Sequence, residues 1–166
     1  PSEFDELKEK YPSVLFVRLP ENVGPGLARN AGAQVARGEV LMYLDSDTEL
    51  EPGGIERVVE FFRQSPSVNM CSGWDSAEPL GAGFFPRFKA LFMVSGAPDT
   101  DADVSFLPGR CFALRRSVML ESGGFDAMYK GADVEDFELG YRLQRDYGAI
   151  RYLSAFRVKH RYPGLI

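Results

Sequence analysis

Apolar positions along the chain alternate between short compact runs and stretches with helical spacing. Phe4, Leu7 and Tyr11 share a face of a short helix that Ser2-x-x-Asp5 can cap and Pro12 ends. Residues 14–17 (Val-Leu-Phe-Val) form a compact run that predicts a buried strand. A glycine turn over residues 22–26 follows, with Pro25 suited to a first helical position and Leu27, Ala31 and Val35 spaced i, i+4, i+8 up to Gly38. Residues 40–44 predict a second buried strand, ending in Asp45-Ser46-Asp47. Pro52 opens a helix carrying Ile55, Val58, Val59 and Phe62, and residues 68–74 predict a third strand.

Strand–helix repetition with short connections predicts an α/β fold whose mostly parallel sheet has helices on both faces. The middle is less regular. Phe84, Phe85, Phe88, Leu91 and Phe92 have helical spacing and predict either a core helix or one at a membrane surface. Residues 111–114 predict a strand, residues 117–122 a short helix closed by Gly123-Gly124, and residues 135–147 a final helix before a strand near residues 150–152.

Length and composition narrow the class. The 166 residues, 45% hydrophobic and 26% charged, suit one soluble domain with a core of its own. No run approaches the roughly 20 apolar residues of a membrane span. The polar start PSEFDELKEK does not read as a signal peptide, and its non-Met beginning predicts a piece of a longer protein. Residues 1–83 hold 7 Lys/Arg against 14 Asp/Glu, and residues 84–166 hold 12 against 10. That balance disfavours a nucleic-acid partner, which needs a basic surface. Cys71 and Cys111 show no metal or redox spacing and read as buried hydrophobes of a reducing, cytoplasmic compartment.

Candidate chemistry begins at Asp45 and Asp47. Aspartates are common in turns, but these follow a buried strand and so emerge at the carboxyl edge of a sheet, where open α/β folds bind ligands. Carboxylates two residues apart can share a hard cation with substrate phosphates. An EF-hand would use Asp45, Asp47, Glu49 and Glu56, but Leu50 replaces its essential glycine and Pro52 interrupts the loop. The turn around Gly24 offers backbone N–H groups at a helix start, with Arg29 and Asn30 close behind as candidate anion partners. Asp136 shares a helical stripe with Leu139 and Leu143, which points it inward near a helix N-terminus. There it reads as part of a cap begun by Asp133 or as a general base. His160, the only histidine, is a candidate third metal ligand.

In order, these residues resemble the inverting glycosyltransferases of the GT-A fold, numbered family 2. The matching strings are Asn22-x-Gly24-x-x-x-Ala28-Arg29-Asn30-x-Gly32, Gly38, Leu44-Asp45-Ser46-Asp47, Gly109 with Arg115-Arg116, Gly123-Gly124-Phe125-Asp126, and Glu135-Asp136-x-Glu138-Leu139-x-x-Arg142-Leu143. The resemblance implies a single partial catalytic domain over 1–166. Within it, 1–74 would be the rest of a nucleotide and metal half, and 75–166 an acceptor and base half. It also implies that the family's first strand–helix–strand unit lies upstream of this chain. Gly24, Arg29, Asn30, Asp45 and Glu135 would then face a nucleotide-diphospho-sugar. Asp47, with Asp45 and His160, would hold Mg²⁺ or Mn²⁺, and Asp136 would be the base acting on a saccharide, lipid-linked or other hydroxyl acceptor. The Gln-x-x-Arg-Trp string of processive members is not matched by Gln144-Arg145-Asp146-Tyr147, so a non-processive transfer is expected. Peripheral membrane association and a homo-oligomer are compatible with this reading. The rival classes are a sugar-1-phosphate nucleotidyltransferase and a non-catalytic carbohydrate-binding domain of the same fold.

Overall fold

A computed structural model of the protein describes residues 3–131 and 134–162; the expected caps Ser2 and Asp133 lie outside the described residues. In chain order the elements are helices α1 (Glu3–Lys10) and α2 (Pro25–Val35), strands β1 (Val40–Leu44) and β2 (Thr48–Leu50), helix α3 (Gly54–Gln64), strand β3 (Met70–Asp75), helix α4 (Phe84–Val94), strands β4 (Ala102–Val104) and β5 (Cys111–Arg115), helices α5 (Arg116–Glu121) and α6 (Glu135–Tyr147), and strand β6 (Ile150–His160). Every helix expected from periodicity is present.

The strands join in one sheet of order β1-β5-β3-β6-β2, with β4 also on β6. The expectation of a mostly parallel sheet is corrected here. Only β3 and β6 pair in parallel, while β1–β5, β3–β5, β2–β6 and β4–β6 are antiparallel. The reason is insertion. The crossover through α3 does leave β1 and β3 running the same way, but β5 returns later and lies between them, antiparallel to both.

Helices cover both faces, as expected. Ala33 of α2, Val118 and Met119 of α5, and Leu139 and Leu143 of α6 pack with Leu41, Met70, Phe112, Leu114 and Ile150 on one face. On the other, Val58, Phe61 and Phe62 of α3 pack with Cys71, Cys111, Ala113, Leu153, Phe156 and Val158. Along β5 the side chains alternate between these layers, and Cys111 to Leu114 are wholly buried. Each large side chain so buried contributes about 2 kcal/mol of transfer free energy.

The strand expected at residues 14–17 is also corrected. This segment is extended but pairs with no strand among the described residues, and Val14 and Leu15 are exposed. An apolar run makes a strand only where a sheet edge offers it backbone partners. The segment lies instead over the Ala31–Val35 side of α2, lining a shallow hollow with it. The stripe expected to bury α2 therefore faces outward, and Gly26 and Ala33 are its buried residues.

β6 is the spine. One edge pairs with β3, and the other carries β4 at Ile150–Tyr152 and β2 at Val158–His160. Between those two partners, the Asp101 carboxylate accepts from the Ser154 N–H and Oγ at 2.8 and 2.7 Å, standing in for a strand. Arg157 Nε donates to the Ser154 carbonyl at 2.8 Å, and Arg57 of α3 pairs with Asp101 from the other side. A bulge in β3 between Ser72 and Trp74 brings Gly73 against β6, where a Cβ would run into the Phe156 carbonyl and lie 2.5 Å from Cys111 Sγ.

Gly73→Ala should therefore cost about 3 kcal/mol, read as a lower urea midpoint with an unchanged m-value. Burial works to raise the Asp101 pKa, but the Ser154 hydrogen bonds and the Arg57 charge outweigh it and hold the carboxyl below its ordinary value. A depressed pKa stabilises the fold above the unfolded carboxyl's value near 3.9, and that contribution fades as pH falls through the folded pKa. Asp101→Asn should flatten the acid limb of urea-melt stability from neutral pH to about pH 3.

Candidate active site

The site lies where β1 and β3 end and β6 finishes. β1 delivers Asp45 into a tight turn, whose carbonyl accepts from the Thr48 N–H at 3.1 Å and from its hydroxyl at 2.7 Å. β2 then pairs antiparallel with β6 so that Thr48 stands opposite His160. That register brings His160 Nε2 to 3.1 Å from Asp47 Oδ2, and Arg161 N–H donates to the Asp47 carbonyl at 2.8 Å. The expected Asp47–His160 juxtaposition is present.

Behind the imidazole stands a residue that sequence reasoning missed. Asp75, at the end of β3, is fully buried, and its Oδ1 lies 3.5 Å from His160 Nδ1. Nδ1 is buried without a hydrogen bond of its own, since the Asp75 contact is too long to be one. Tyr162 OH donates to Asp75 Oδ1 at 3.0 Å and Arg110 Nε to Oδ2 at 2.7 Å. Burial alone would raise the Asp75 pKa, but His160, Arg110 and Tyr162 together hold it below the usual range. The His160 pKa is raised, chiefly by Asp75 and further by Asp47, against an opposing effect of burial. The signal that flagged Asp45, an aspartate ending an apolar strand, applies equally to Asp75. Arg110 and Tyr162 carry no such signal, because only the folded chain brings them to Asp75.

Asp45 and Asp47 serve different partners. Arg29, in the second turn of α2, reaches Asp45 Oδ1 at 2.5 Å and Glu135 Oε1 at 3.3 Å, its guanidinium resting 5.4 Å over the Phe125 ring. Glu135 is 5% exposed, so this fork ties α2, the end of β1 and the start of α6 together in a partly dry setting. Asp136, the next residue, is half-buried. Its Oδ2 accepts from the Gly109 N–H at 2.8 Å and its Oδ1 from the Phe137 N–H at 2.8 Å. A Cβ on residue 109 would sit 2.9 Å from that Oδ2, so any other residue there would push the carboxylate aside.

Other motif residues are scaffolding. Asn30 gives Nδ2 to the Phe125 carbonyl at 2.8 Å and takes the Phe125 N–H on Oδ1 at 2.9 Å, so both ends of its amide are engaged within the protein. Gly24 caps α2 against the Lys130 carbonyl, its N–H bonded to Asn22 Oδ1 at 3.1 Å. Arg142 joins Glu138 to the Ser122 and Gly124 carbonyls, and Arg115 bonds the Val68 and Pro66 carbonyls at the opposite end of the sheet. Among the described residues no three His, Cys, Asp or Glu side chains form a ready cation cage. Asp47 with His160 makes a two-donor set, carboxylate plus imidazole, of the kind that suits Mn²⁺ or Mg²⁺ when substrate oxygens supply the rest. The buried Nδ1, aimed at a carboxylate, is how a ligating histidine is usually oriented. The donor set therefore fits a metal at Asp47 and His160, whereas Asp45 is already committed to Arg29.

This architecture is shared with known enzymes. GalNAc-T7, solved with UDP, GalNAc and Mn²⁺, superposes with a TM-score of 0.74 at 21% identity over 97% of this chain and 35% of that one. TarS 1-349 of S. aureus, solved with UDP-GlcNAc, gives 0.71 at 17% identity over 97% of this chain and 46% of that one. By sequence the chain is 26% identical to the pre-mycofactocin glycosyltransferase of Mycobacterium tuberculosis, covering 96% of this chain and 35% of the relative. It is 28% identical to the glucosyl-dolichyl phosphate glucuronosyltransferase of Haloferax volcanii, over 75% of this chain and 42% of the relative. The chain thus spans less than half the length of each of these proteins. The sequence profile for glycosyl transferase family 2 matches residues 1–123, and the chain belongs to that family.

Proposed function

We propose that this domain carries the catalytic centre of a metal-dependent glycosyltransferase. It would move a sugar from a nucleotide-diphospho-sugar to an acceptor hydroxyl with inversion, in single rather than processive steps. The observation that carries the reading is one corner of chain, Gly109-Arg110. Its first residue holds Asp136 and its second holds Asp75, the carboxylate behind His160. A candidate base and the carboxylate behind a candidate metal ligand are thus held by adjacent residues at the end of one sheet. Family membership and a neighbour solved with UDP and Mn²⁺ support the donor class.

Asp47 and His160 would hold Mg²⁺ or Mn²⁺, which supplies positive charge beside the departing diphosphate. Arg29 keeps Asp45 aimed at the donor while Glu135 balances its charge from below. Asp136, immobilised through Oδ2, takes the proton of the acceptor hydroxyl as that oxygen bonds to the anomeric carbon. The bond from carbon to diphosphate breaks on the opposite face, and one such displacement inverts the anomeric centre. The half up to residue 74 would serve nucleotide and metal and the half from residue 75 the acceptor. His160 nevertheless comes from the second half to complete the first. Buried free Cys71 and Cys111 suit a cytoplasmic protein, and no helix among the described residues is long and apolar enough to cross a membrane.

Mn²⁺ with UDP, at about a hundred times its Kd, should raise Tm by about 5 °C or more. Asp47→Ala and His160→Ala should each abolish that ligand-dependent shift. No shift with any nucleoside diphosphate, or a wild-type shift in Asp47→Ala, would overturn the metal assignment. Asp136→Asn, which keeps an oxygen for Gly109, should lower kcat by about 10²–10⁴-fold in a transfer assay while the UDP shift survives. Retained turnover would remove Asp136 from the chemistry.

A further inference from the structure

α4 is built inside out. Its buried face is narrow, with Pro86 and Ala90 packed toward β3, and Trp74 Nε1 donates to the Met93 carbonyl at 2.8 Å. Its outward face carries Phe84, Phe88, Leu91 and Phe92, which are 82%, 54%, 50% and 62% exposed. These four lie at i, i+4, i+7 and i+8, a single stripe, and Phe84 stacks on Phe88 at 6.0 Å. A contiguous outward patch of three phenylalanines and a leucine is unusual on a soluble monomer and marks a contact surface.

The charges around the stripe select the partner. By helical angle Arg87 stands on one side of it and Lys89 on the other, the Lys89 ammonium 5.6 Å from the Phe92 ring. α4 contains no acidic residue, although the chain as a whole carries a net charge of −5. Of the acids in the flanking segments, Asp101 is paired with Arg57, Asp99 lies in the loop beyond, and Glu78, paired with Lys159, is exposed on the Arg87 side of the stripe. An aromatic face bordered by cations along both sides matches a bilayer interface with anionic headgroups. The rings would enter the acyl boundary and the basic groups would meet the phosphates.

Packed aromatic rings also connect this helix to the candidate base. Trp74, buried beneath α4 at 6% exposure, meets Phe106 edge to face at 5.2 Å, and Phe106 stacks at 5.5 Å on Phe137, the residue after Asp136. Phe137 is itself 53% exposed. We propose that α4 seats this domain on an anionic membrane surface, so that an acceptor with an apolar tail is presented from the bilayer to Asp136 past the exposed Phe137. The acceptor half of this statement rests on the transferase reading above, whereas the docking half does not.

Docking is therefore tested without nucleotide. The protein is sedimented with vesicles of mixed phosphatidylcholine and phosphatidylglycerol, and in parallel with vesicles of phosphatidylcholine alone. Binding is expected to the anionic vesicles and to weaken as salt rises. The double variant Phe88→Ser/Phe92→Ser changes only outward side chains and should keep the wild-type Tm while losing vesicle binding by about tenfold or more. Arg87→Gln and Lys89→Gln should each cost about fivefold on anionic vesicles and little on neutral ones. Absence of vesicle binding by the wild type would overturn the proposal, as would binding unaffected by the double variant. A concentration-dependent dimer in sedimentation velocity that the double variant abolishes, without vesicle binding, would assign the stripe to a second copy instead.

Discussion

The site hangs on two consecutive residues, Gly109 and Arg110, just before β5. Gly109 gives its N–H to Asp136, Arg110 gives its guanidinium to Asp75, and the Arg110 carbonyl accepts the N–H of Asp45 at 3.3 Å. Carboxylate-bearing positions on α6, β3 and β1 are thereby tethered to one corner. The corner is rigid because β5 behind it is buried on both faces and paired on both edges. Shifting that strand would disturb all three tethers at once.

Electrostatics at this edge follow from the same geometry. Acidic groups gathered at a sheet edge repel one another unless each has a cation or donor of its own. Arg29 answers Asp45 and Glu135, Arg110 answers Asp75, and backbone N–H groups answer Asp136. Asp47 is the exception, with a side chain half exposed and His160 as its side-chain partner among the described residues. Asp47 is thus the carboxylate at this edge whose charge its neighbours compensate least.

Much of this was legible in local pattern. The helices follow from apolar spacing with prolines and glycines at their ends, and Asp45, Asp47 and Asp136 stood out by position after a strand or within a first turn. What local pattern misjudged were relations between distant segments. Residues 14–17 have the composition of a strand but no sheet edge beside them. β6 was visible only as residues 150–152, because its later half is punctuated by Arg157, Lys159 and His160, whose side chains find polar partners at the sheet end. Asn30 looked like a ligand group, and Arg142 stood only as part of a motif string, because polar side chains near glycines are ambiguous until their partners are known. In the fold those partners are the backbone of Phe125, Ser122 and Gly124.

The sequence by itself determined the helices, the central apolar strands and the types of residue available for chemistry. These depend on short-range periodicity, turn geometry and side-chain type, which the chain carries within a few positions. Only the tertiary structure decided that β5 inserts between β1 and β3, that Thr48 stands opposite His160, and that Asp75 and Arg110 stand behind the imidazole. It also decided that the aromatic stripe of α4 points away from the core. Each of these depends on which segments share an edge or a face, and that competition for buried area and backbone partners is settled by the chain as a whole.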